Sequence, residues 1–175
     1  EKLTQREATI FQQIHHPNVQ SLHSLNIEQG FLILQYDFVP GESLREVLQA
    51  RGSLAPSAAQ DVLRDILSAL QELHSHDIAH RDISPENIIL SDHGAVLIDF
   101  DATGYLDASS PIGATTIAGD FAGKFLYMSP EGLAGAPQNS ATDIWALGAV
   151  FYEMIVGTPL RRGATIPEIL SDSLS

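Results

Sequence analysis

Three oxygen-bearing side chains, those of Asp82, Asn87 and Asp99, lie beside short apolar segments of the sequence. Carboxylates are costly to bury unless they are paired or bind a cation. Magnesium prefers a few oxygen ligands together with substrate phosphates, so Asn87 and Asp99 are suited to hold a magnesium–nucleotide complex. Asp82 can accept a hydroxyl proton and align the nucleophile, which is the main task of a protein in phosphoryl transfer. The predicted chemistry is therefore positioning rather than covalent catalysis.

A predicted β-hairpin brings these side chains together. The apolar segments NIIL (87–90) and AVLI (95–98) flank SDHG, whose residues favour a turn. Folding the hairpin sets Asn87 beside the residue that follows the second strand, which is Asp99. Because Asp82 lies on the loop that enters the first strand, all three side chains should converge at the open end of the hairpin.

The segments before this hairpin alternate between helix and strand patterns. Apolar residues recur at helical spacing in LTQREATIFQQI (3–14), which ends before the turn-forming sequence HHPN. FLILQYDFV (31–39) is rich in aliphatic and aromatic residues and is predicted to be a strand that ends at Pro40. SLREVLQA (43–50) is predicted to be a short helix, so the fold class is α+β.

Two longer helices are predicted from apolar residues together with capping residues. One is predicted after Pro56, with Ser57 and Gln60 placed for a capping box. The apolar face of this helix is predicted to consist of Val62, Ile66, Leu67, Leu70 and Leu73. The other is the apolar segment 144–157, which is predicted to be a buried helix. Ser140 and Asp143 precede it in a capping-box pattern.

Composition limits the class of protein. The sequence has 175 residues, of which 44% are apolar, enough for one globular domain with a substantial core. Lysine and arginine total 9 against 22 acidic residues, and the net charge of -13 argues against nucleic acid as the main partner. Cysteine is absent, so thiolate chemistry is excluded and a cytoplasmic location is expected. Every apolar run is too short to span a membrane.

Four motifs resemble those of the eukaryotic-type (Hanks-type) serine/threonine protein kinase catalytic domain, in a bacterial-like form. They are HRDISPEN (80–87), IDFD (98–101), MSPE (128–131) and DIWALG (143–148), and they occur in the order of that family. The resemblance implies an enzyme with a protein-kinase-like fold, in which a mainly helical large lobe follows a remnant of the small lobe. It also implies ATP as substrate, Mg²⁺ or Mn²⁺ as cofactor and a protein partner that carries the Ser or Thr acceptor.

The resemblance assigns roles to the residues of these motifs. Asp82 corresponds to the catalytic base, and Asn87 and Asp99 correspond to the metal ligands. Glu131 belongs to the APE-like motif. Asp143 corresponds to the aspartate that anchors the backbone of the catalytic loop.

The resemblance also divides the chain. Residues 1–39 correspond to a small-lobe remnant with a hinge at 37–39, and residues 40–175 to a large lobe that is incomplete at its C-terminal end. Glu7 corresponds to the αC glutamate, and the backbone of Asp37 and Val39 would bind adenine. The glycine-rich loop and the β3 lysine of the family are expected upstream of this sequence.

A basic residue beside the catalytic loop has a regulatory counterpart in the family. Arg81 corresponds to the arginine that binds a phosphorylated activation segment through charge-assisted hydrogen bonds. Of the hydroxyls available, Thr115 and Thr116 are favoured as phosphorylation sites over Ser109 and Ser110. The preceding His80 is expected to be a packing residue of the loop.

The sequence departs from the family pattern at three positions. Ser84 stands where the family has a lysine that contacts the γ-phosphate, and Lys124 stands where it has a threonine that contacts that lysine. Because these positions face each other in the family fold, Lys124 is predicted to supply the missing charge and Ser84 its hydrogen-bond partner. Asp101 replaces the glycine of DFG, which is the more permissive residue.

Two other functions are compatible with parts of this pattern. Small-molecule kinases of the aminoglycoside or choline kinase type also use an HxD loop and a metal motif that ends in a second aspartate. GKFLYMSPE (123–131), followed by DIWALG, resembles a peptide-docking segment that those enzymes lack. A pseudokinase that acts as a binding module is the other alternative, and the presence of Asp82, Asn87 and Asp99 argues against it.

Overall fold

The computed structural model describes residues 11–28, 31–100, 104–105, 125–163 and 168–169. Its strands are β1 (Leu22–Glu28), β2 (Phe31–Tyr36), β3 (Glu42–Ser43), β4 (Ile78–Ala79), β5 (Ile88–Ser91), β6 (Gly94–Leu97) and β7 (Gly104–Tyr105). Its helices are α1 (Leu44–Arg51), α2 (Pro56–Ser75), α3 (Pro130–Leu133) and α4 (Ser140–Val156), with a 3₁₀ turn at Pro85–Asn87.

The strands form small antiparallel sheets between the helices. β1 pairs with β2, β5 lies between β3 and β6, and β4 pairs with β7. This mixture of helices with small sheets is the predicted α+β class. No helix in the described part of the chain is both long and apolar enough to cross a membrane.

The predicted hairpin is confirmed as β5–β6, shifted by one residue. Ile88 pairs with Leu97, and Ser91 pairs with Gly94, so the turn consists of two residues, Asp92 and His93. Beyond the last pair, the amide of Ile98 donates to the carbonyl of Asn87 at 3.0 Å. The open end of the hairpin therefore sets Asn87 opposite the residue that precedes Asp99.

The first predicted strand ends earlier than its sequence suggested, at Tyr36 rather than Val39. The next amide, that of Asp37, donates to the carbonyl of Ser21, which precedes β1. The ladder between the two strands ends there because β1 begins at Leu22. β1 itself was not predicted: its sequence LHSLNIE is mostly polar and mostly exposed, so it lacks a clear period of two.

The short helix α1 is confirmed and begins with a capping box. Ser43 Oγ accepts a hydrogen bond from the Glu46 amide at 3.2 Å, and Glu46 Oε2 accepts one from the Ser43 amide at 2.8 Å. Because Ser43 is the cap, the helix itself starts one residue later than predicted.

The long helix α2 is confirmed, but its predicted capping box is wrong. Pro56 takes the first helical position, which leaves Ser57 inside the first turn, and the N-cap residue Ala55 has no side chain that can cap. Four of the five predicted core residues are buried, namely Val62, Ile66, Leu70 and Leu73. Leu67 is 41% exposed, because it lies a further 100° around the helix from Ile66.

The helix α4 differs from its prediction at its start and in its burial. Its cap is formed by Asn139 and Thr142 instead of Ser140 and Asp143: the Ala141 amide donates to Asn139 Oδ1, and the Asn139 amide donates to Thr142 Oγ1. Although the helix is apolar, it is not buried all round. The exposed large apolar residues on it are Ile144, Trp145, Tyr152, Ile155 and Val156.

Candidate active site

A buried carboxylate, that of Asp143, anchors the loop at 80–82. Asp143, at the start of α4, is 1% exposed. Its Oδ2 accepts hydrogen bonds from the His80 amide and from His74 Nε2, both at 2.9 Å, and its Oδ1 accepts one from the Arg81 amide at 2.8 Å. These contacts fix the backbone just before Asp82.

Two residues of the site adopt left-handed backbone conformations. Arg81 has φ of 68°, and Asp99 has φ of 63°. A non-glycine residue in this region costs of order 1–2 kcal/mol. At Arg81 the hydrogen bond to Asp143 offsets this cost and holds the strained turn in place.

His80 links this loop to Ile98, which lies between the end of β6 and Asp99. The prediction that it is a packing residue is confirmed, since its side chain is fully buried and its ring meets the edge of Phe100 at 5.0 Å between centroids. His80 Nε2 donates to the carbonyl of Ile98 at 3.1 Å, and the Asp82 amide donates to His80 Nδ1 at 3.3 Å. Burial lowers the pKa of His80 despite the nearby carboxylates, so the ring is neutral and both contacts are kept.

The amide of Asn87 is clamped on Asp82. Asn87 Nδ2 donates to the carbonyl oxygen of Asp82 at 2.8 Å and to its carboxylate Oδ2 at 3.1 Å. With its nitrogen occupied in this way, the amide offers its oxygen, Oδ1, to a ligand. The carboxylate of Asp82 is held in one orientation by the same contact.

The donor set is suited to magnesium. Asp99 is exposed and follows Ile98, which is hydrogen-bonded to Asn87. In the described part of the chain, no three His, Cys, Asp or Glu side chains are grouped closely enough to hold a metal ion. Magnesium requires no such cage, because it keeps several waters and uses one or two carboxylates together with phosphate oxygens. The pair of Asn87 and Asp99 therefore fits Mg²⁺ carried in with a nucleotide.

Ser84 lies in the same turn as the clamp. It is buried, and its carbonyl accepts the amide of Asn87 at 3.1 Å. Its side chain makes no capping hydrogen bond to the 3₁₀ turn that follows.

The candidate hinge residues lie beside the β1–β2 sheet. The carbonyl of Asp37 accepts a hydrogen bond from Gln20 Nε2 at 2.9 Å, and its carboxylate meets His23 Nδ1 at 3.1 Å. A nucleotide that bound this carbonyl would therefore share it with Gln20, using the second lone pair of the oxygen. Val39 is partly buried.

Several candidate residues lie outside the described residues: Glu7, Asp101, Ser109, Ser110, Thr115, Thr116 and Lys124. Glu131 is described and is exposed on the short helix α3, which Ser129 caps by accepting the Gly132 amide at 3.1 Å. The segment just before it is held by Arg161, whose Nη1 donates to the carbonyls of Phe125 and Met128.

Sequence reasoning missed a group of four side chains, Arg45, Glu86, Tyr127 and Glu153, termed here the Arg45 cluster. Arg45 Nε donates to Glu86 Oε1 and Arg45 Nη1 donates to Glu153 Oε1, both at 2.7 Å. Arg45 Nη2 donates to the Tyr127 hydroxyl, which in turn donates to Glu153 Oε2 at 2.5 Å. The one available signal was Glu153 itself, because a carboxylate inside an apolar helix requires a cation nearby.

Burial and hydrogen bonding fix the protonation states of Tyr127 and Arg45 in this cluster. Burial and the hydrogen bond to Glu153 raise the pKa of the Tyr127 hydroxyl, so it stays protonated. Burial opposes the charge on Arg45, but its hydrogen bonds to Glu153 and Glu86 outweigh that effect and raise the pKa of Arg45. Arg45 is therefore the cation of the cluster, and the Tyr127 hydroxyl is a donor within it.

Comparison with known proteins agrees with these features. The family model "protein kinase domain" matches residues 1–173. Serine/threonine-protein kinase PkaA of Streptomyces coelicolor is 32% identical over 174 residues, or 97% of this chain. Serine/threonine-protein kinase 36 of Pongo abelii is 36% identical over 169 residues, or 95% of this chain. Serine/threonine-protein kinase PrkC of Bacillus subtilis is 32% identical over 155 residues, or 87% of this chain.

The chain corresponds to only part of each of these relatives. The matches cover 31% of PkaA, 12% of kinase 36 and 23% of PrkC. Each relative therefore contains long regions that have no counterpart in this sequence.

Proposed function

The chain belongs to the protein kinase family, and on that premise we propose that it transfers the γ-phosphoryl group of ATP to Ser or Thr hydroxyls of proteins. The observation that carries this proposal is the clamp of Asn87 on Asp82, with Asp99 across the end of the hairpin. A carboxylate fixed beside two oxygen ligands for a cation is what a positioned phosphoryl transfer requires.

Each of these side chains has one role in the proposal. Asp82 accepts the hydroxyl proton of the substrate and orients its oxygen toward the phosphate. Asn87 and Asp99 would hold Mg²⁺, which neutralises phosphate charge when it is bound. Asp143 and His80 act on the backbone, because they fix the positions of Asp82 and of the strand end that leads to Asp99.

Two observations support Ser or Thr as the acceptor: the sequence of the catalytic loop and the similarity to serine/threonine-protein kinases. Pro85 and Glu86 before Asn87 resemble the catalytic loop of kinases of the serine/threonine type. The relatives PkaA, PrkC and kinase 36 are all named serine/threonine-protein kinases. We also propose that Arg81 receives a phosphate placed on Thr115 or Thr116, by charge-assisted hydrogen bonds.

The proposal is tested by incubating the full-length protein with γ-labelled ATP, Mg²⁺ and a panel of protein substrates, with an aminoglycoside and choline in parallel reactions. We expect label in protein that is released as phosphoserine or phosphothreonine after hydrolysis. Label in phosphotyrosine would refute the assignment of the acceptor. Label only in an aminoglycoside or in choline would indicate a small-molecule kinase, and ATP-independent binding without transfer would indicate a binding module.

The interchange of residue types at positions 84 and 124 leads to a mutational prediction. If the ammonium of Lys124 replaces the missing catalytic-loop lysine, Lys124→Ala should lower turnover by about 10²-fold, the scale for one preorganised charge contact. The double change Ser84→Lys with Lys124→Thr should recover much of the loss, because it restores the family arrangement.

The control for this pair is Arg51→Ala, which removes an exposed cation at the end of α1. Turnover is measured at saturating ATP and peptide. Unchanged turnover in Lys124→Ala, or a double variant no better than the single one, would show that Lys124 is an ordinary surface lysine.

A further inference from the structure

The Arg45 cluster lies next to the proposed catalytic residues. Glu86 immediately precedes Asn87, whose amide is clamped on Asp82. The side chain of Glu86 is 53% exposed, whereas that of Glu153 is buried directly behind the shared guanidinium. The cluster therefore presents one exposed carboxylate, that of Glu86, next to the residue that clamps the proposed base.

A peptide whose hydroxyl reaches Asp82 would come close to Glu86, because Asn87 contacts Asp82 at 3.1 Å and Glu86 is the chain neighbour of Asn87. An extended peptide advances about 3.3 Å per residue, so the residues two or three positions from the acceptor come within reach of Glu86. A lysine or arginine at such a position would meet two carboxylates, Glu86 in front and Glu153 behind.

Both carboxylates, however, already have a cation. Arg45 donates to Glu86 through Nε and to Glu153 through Nη1, at 2.7 Å in each case. Its third nitrogen donates to Tyr127, so each nitrogen of the guanidinium has a partner within the cluster. A substrate cation could bind Glu153 only by displacing Arg45, whose side chain is 20% exposed, from three partners.

We propose that Arg45 is a specificity-determining residue: it occupies the cation site formed by Glu86 and Glu153, so that the kinase does not select a basic residue near the acceptor. This inference rests on the proposed function, since it concerns the peptide that receives the phosphate. The acceptor sequence is then set by other contacts, and peptides with small uncharged residues near the acceptor are accepted as well as basic ones.

The test compares two families of synthetic peptides in the full-length protein. Each peptide of one family carries a single arginine, placed in turn at each of the three positions on either side of the acceptor serine. Each peptide of the other family carries alanine at the corresponding position. We expect the wild-type protein to use both with kcat/KM values within about threefold. A wild-type preference of tenfold or more for an arginine peptide, unchanged in the variants below, would overturn the proposal.

Removing the guanidinium should create the preference that the wild-type protein lacks. In Arg45→Ala the space of the guanidinium is empty and the carboxylates of Glu86 and Glu153 border it. The ratio of kcat/KM for the best arginine peptide to kcat/KM for its alanine partner should therefore rise about tenfold. Adding Glu86→Gln to Arg45→Ala should abolish most of that gain. Arg64→Ala, which removes an exposed arginine paired with Asp61 on the surface of α2, should leave the ratio unchanged.

A conservative variant covers the case in which Arg45→Ala does not fold. Arg45→Lys keeps a cation for the buried Glu153, but a single ammonium cannot also hold Glu86, so a gain of about threefold is expected. An active Arg45→Lys or Arg45→Ala enzyme without any gain would refute the inference. Absence of phosphate transfer by the wild-type protein to every peptide and protein would instead refute the proposed function, and the inference with it.

Discussion

Replacing Asp82 by Asn is expected to lower the turnover of the full-length protein by about 10³-fold, within the range for losing a positioned general base. The amide keeps the size of the side chain and cannot accept the hydroxyl proton. Because the proposed role of Asp82 concerns the acceptor and not ATP, the affinity for the nucleotide should stay nearly unchanged. Steady-state phosphate transfer and nucleotide titration separate the two effects.

The companion variant is Asp99→Asn, which should weaken binding of the magnesium–nucleotide complex more than Asp82→Asn does. Asp92→Asn is the matched control, because Asp92 is an exposed aspartate in the turn of the same hairpin and lies at the end away from the site. Equal loss of nucleotide affinity in Asp82→Asn and Asp99→Asn would contradict the division of roles proposed here.

The local part of this site could be predicted from sequence because its determinants are close together in the chain. Turn-forming residues between two apolar segments specify the β5–β6 hairpin, and the hairpin alone sets Asn87 opposite Ile98. The clamp on Asp82 also forms within one short loop. Only the exact start and end of the strands were missed, by one residue each.

The parts that could not be predicted depend on contacts between distant segments. The Arg45 cluster joins α1, the 3₁₀ turn, the segment before α3 and the helix α4, and no local pattern in any of these specifies the others. The cap of α4 was missed because Asn139 and Ser140 are both good N-cap residues, and Asp143, the partner that Ser140 would need, instead accepts hydrogen bonds from the distant loop at His80 and Arg81. The polar strand β1 was missed because it gains its order from pairing with β2.

Asp143 is expected to give the largest stability effect of any single residue discussed here. Its carboxylate is the shared acceptor of three hydrogen bonds, two of them from backbone amides of the loop at His80 and Arg81. Asp143→Ala leaves the buried His80 amide, and the partly buried Arg81 amide and His74 Nε2, without this acceptor. Each hydrogen bond to a charged group contributes roughly 1.5–3 kcal/mol, and unmet donors add a desolvation cost. We expect the free energy of unfolding to fall by about 3–5 kcal/mol.

The measurement is chemical denaturation of the variants beside the wild-type protein, with Asp61→Ala as the control. Asp61 also accepts a hydrogen bond from an arginine, but both side chains are exposed on α2, so its loss should cost less than about 1 kcal/mol. The stability loss of Asp143→Asn should lie between those of Asp143→Ala and Asp61→Ala, since one amide oxygen can still accept from the loop. Because Asn offers one acceptor oxygen where the loop uses two, the left-handed turn at Arg81 is held less firmly, and turnover should fall in Asp143→Asn even at temperatures where the protein is fully folded. An Asp143→Ala protein as stable as Asp61→Ala would show that the loop keeps its conformation without this carboxylate.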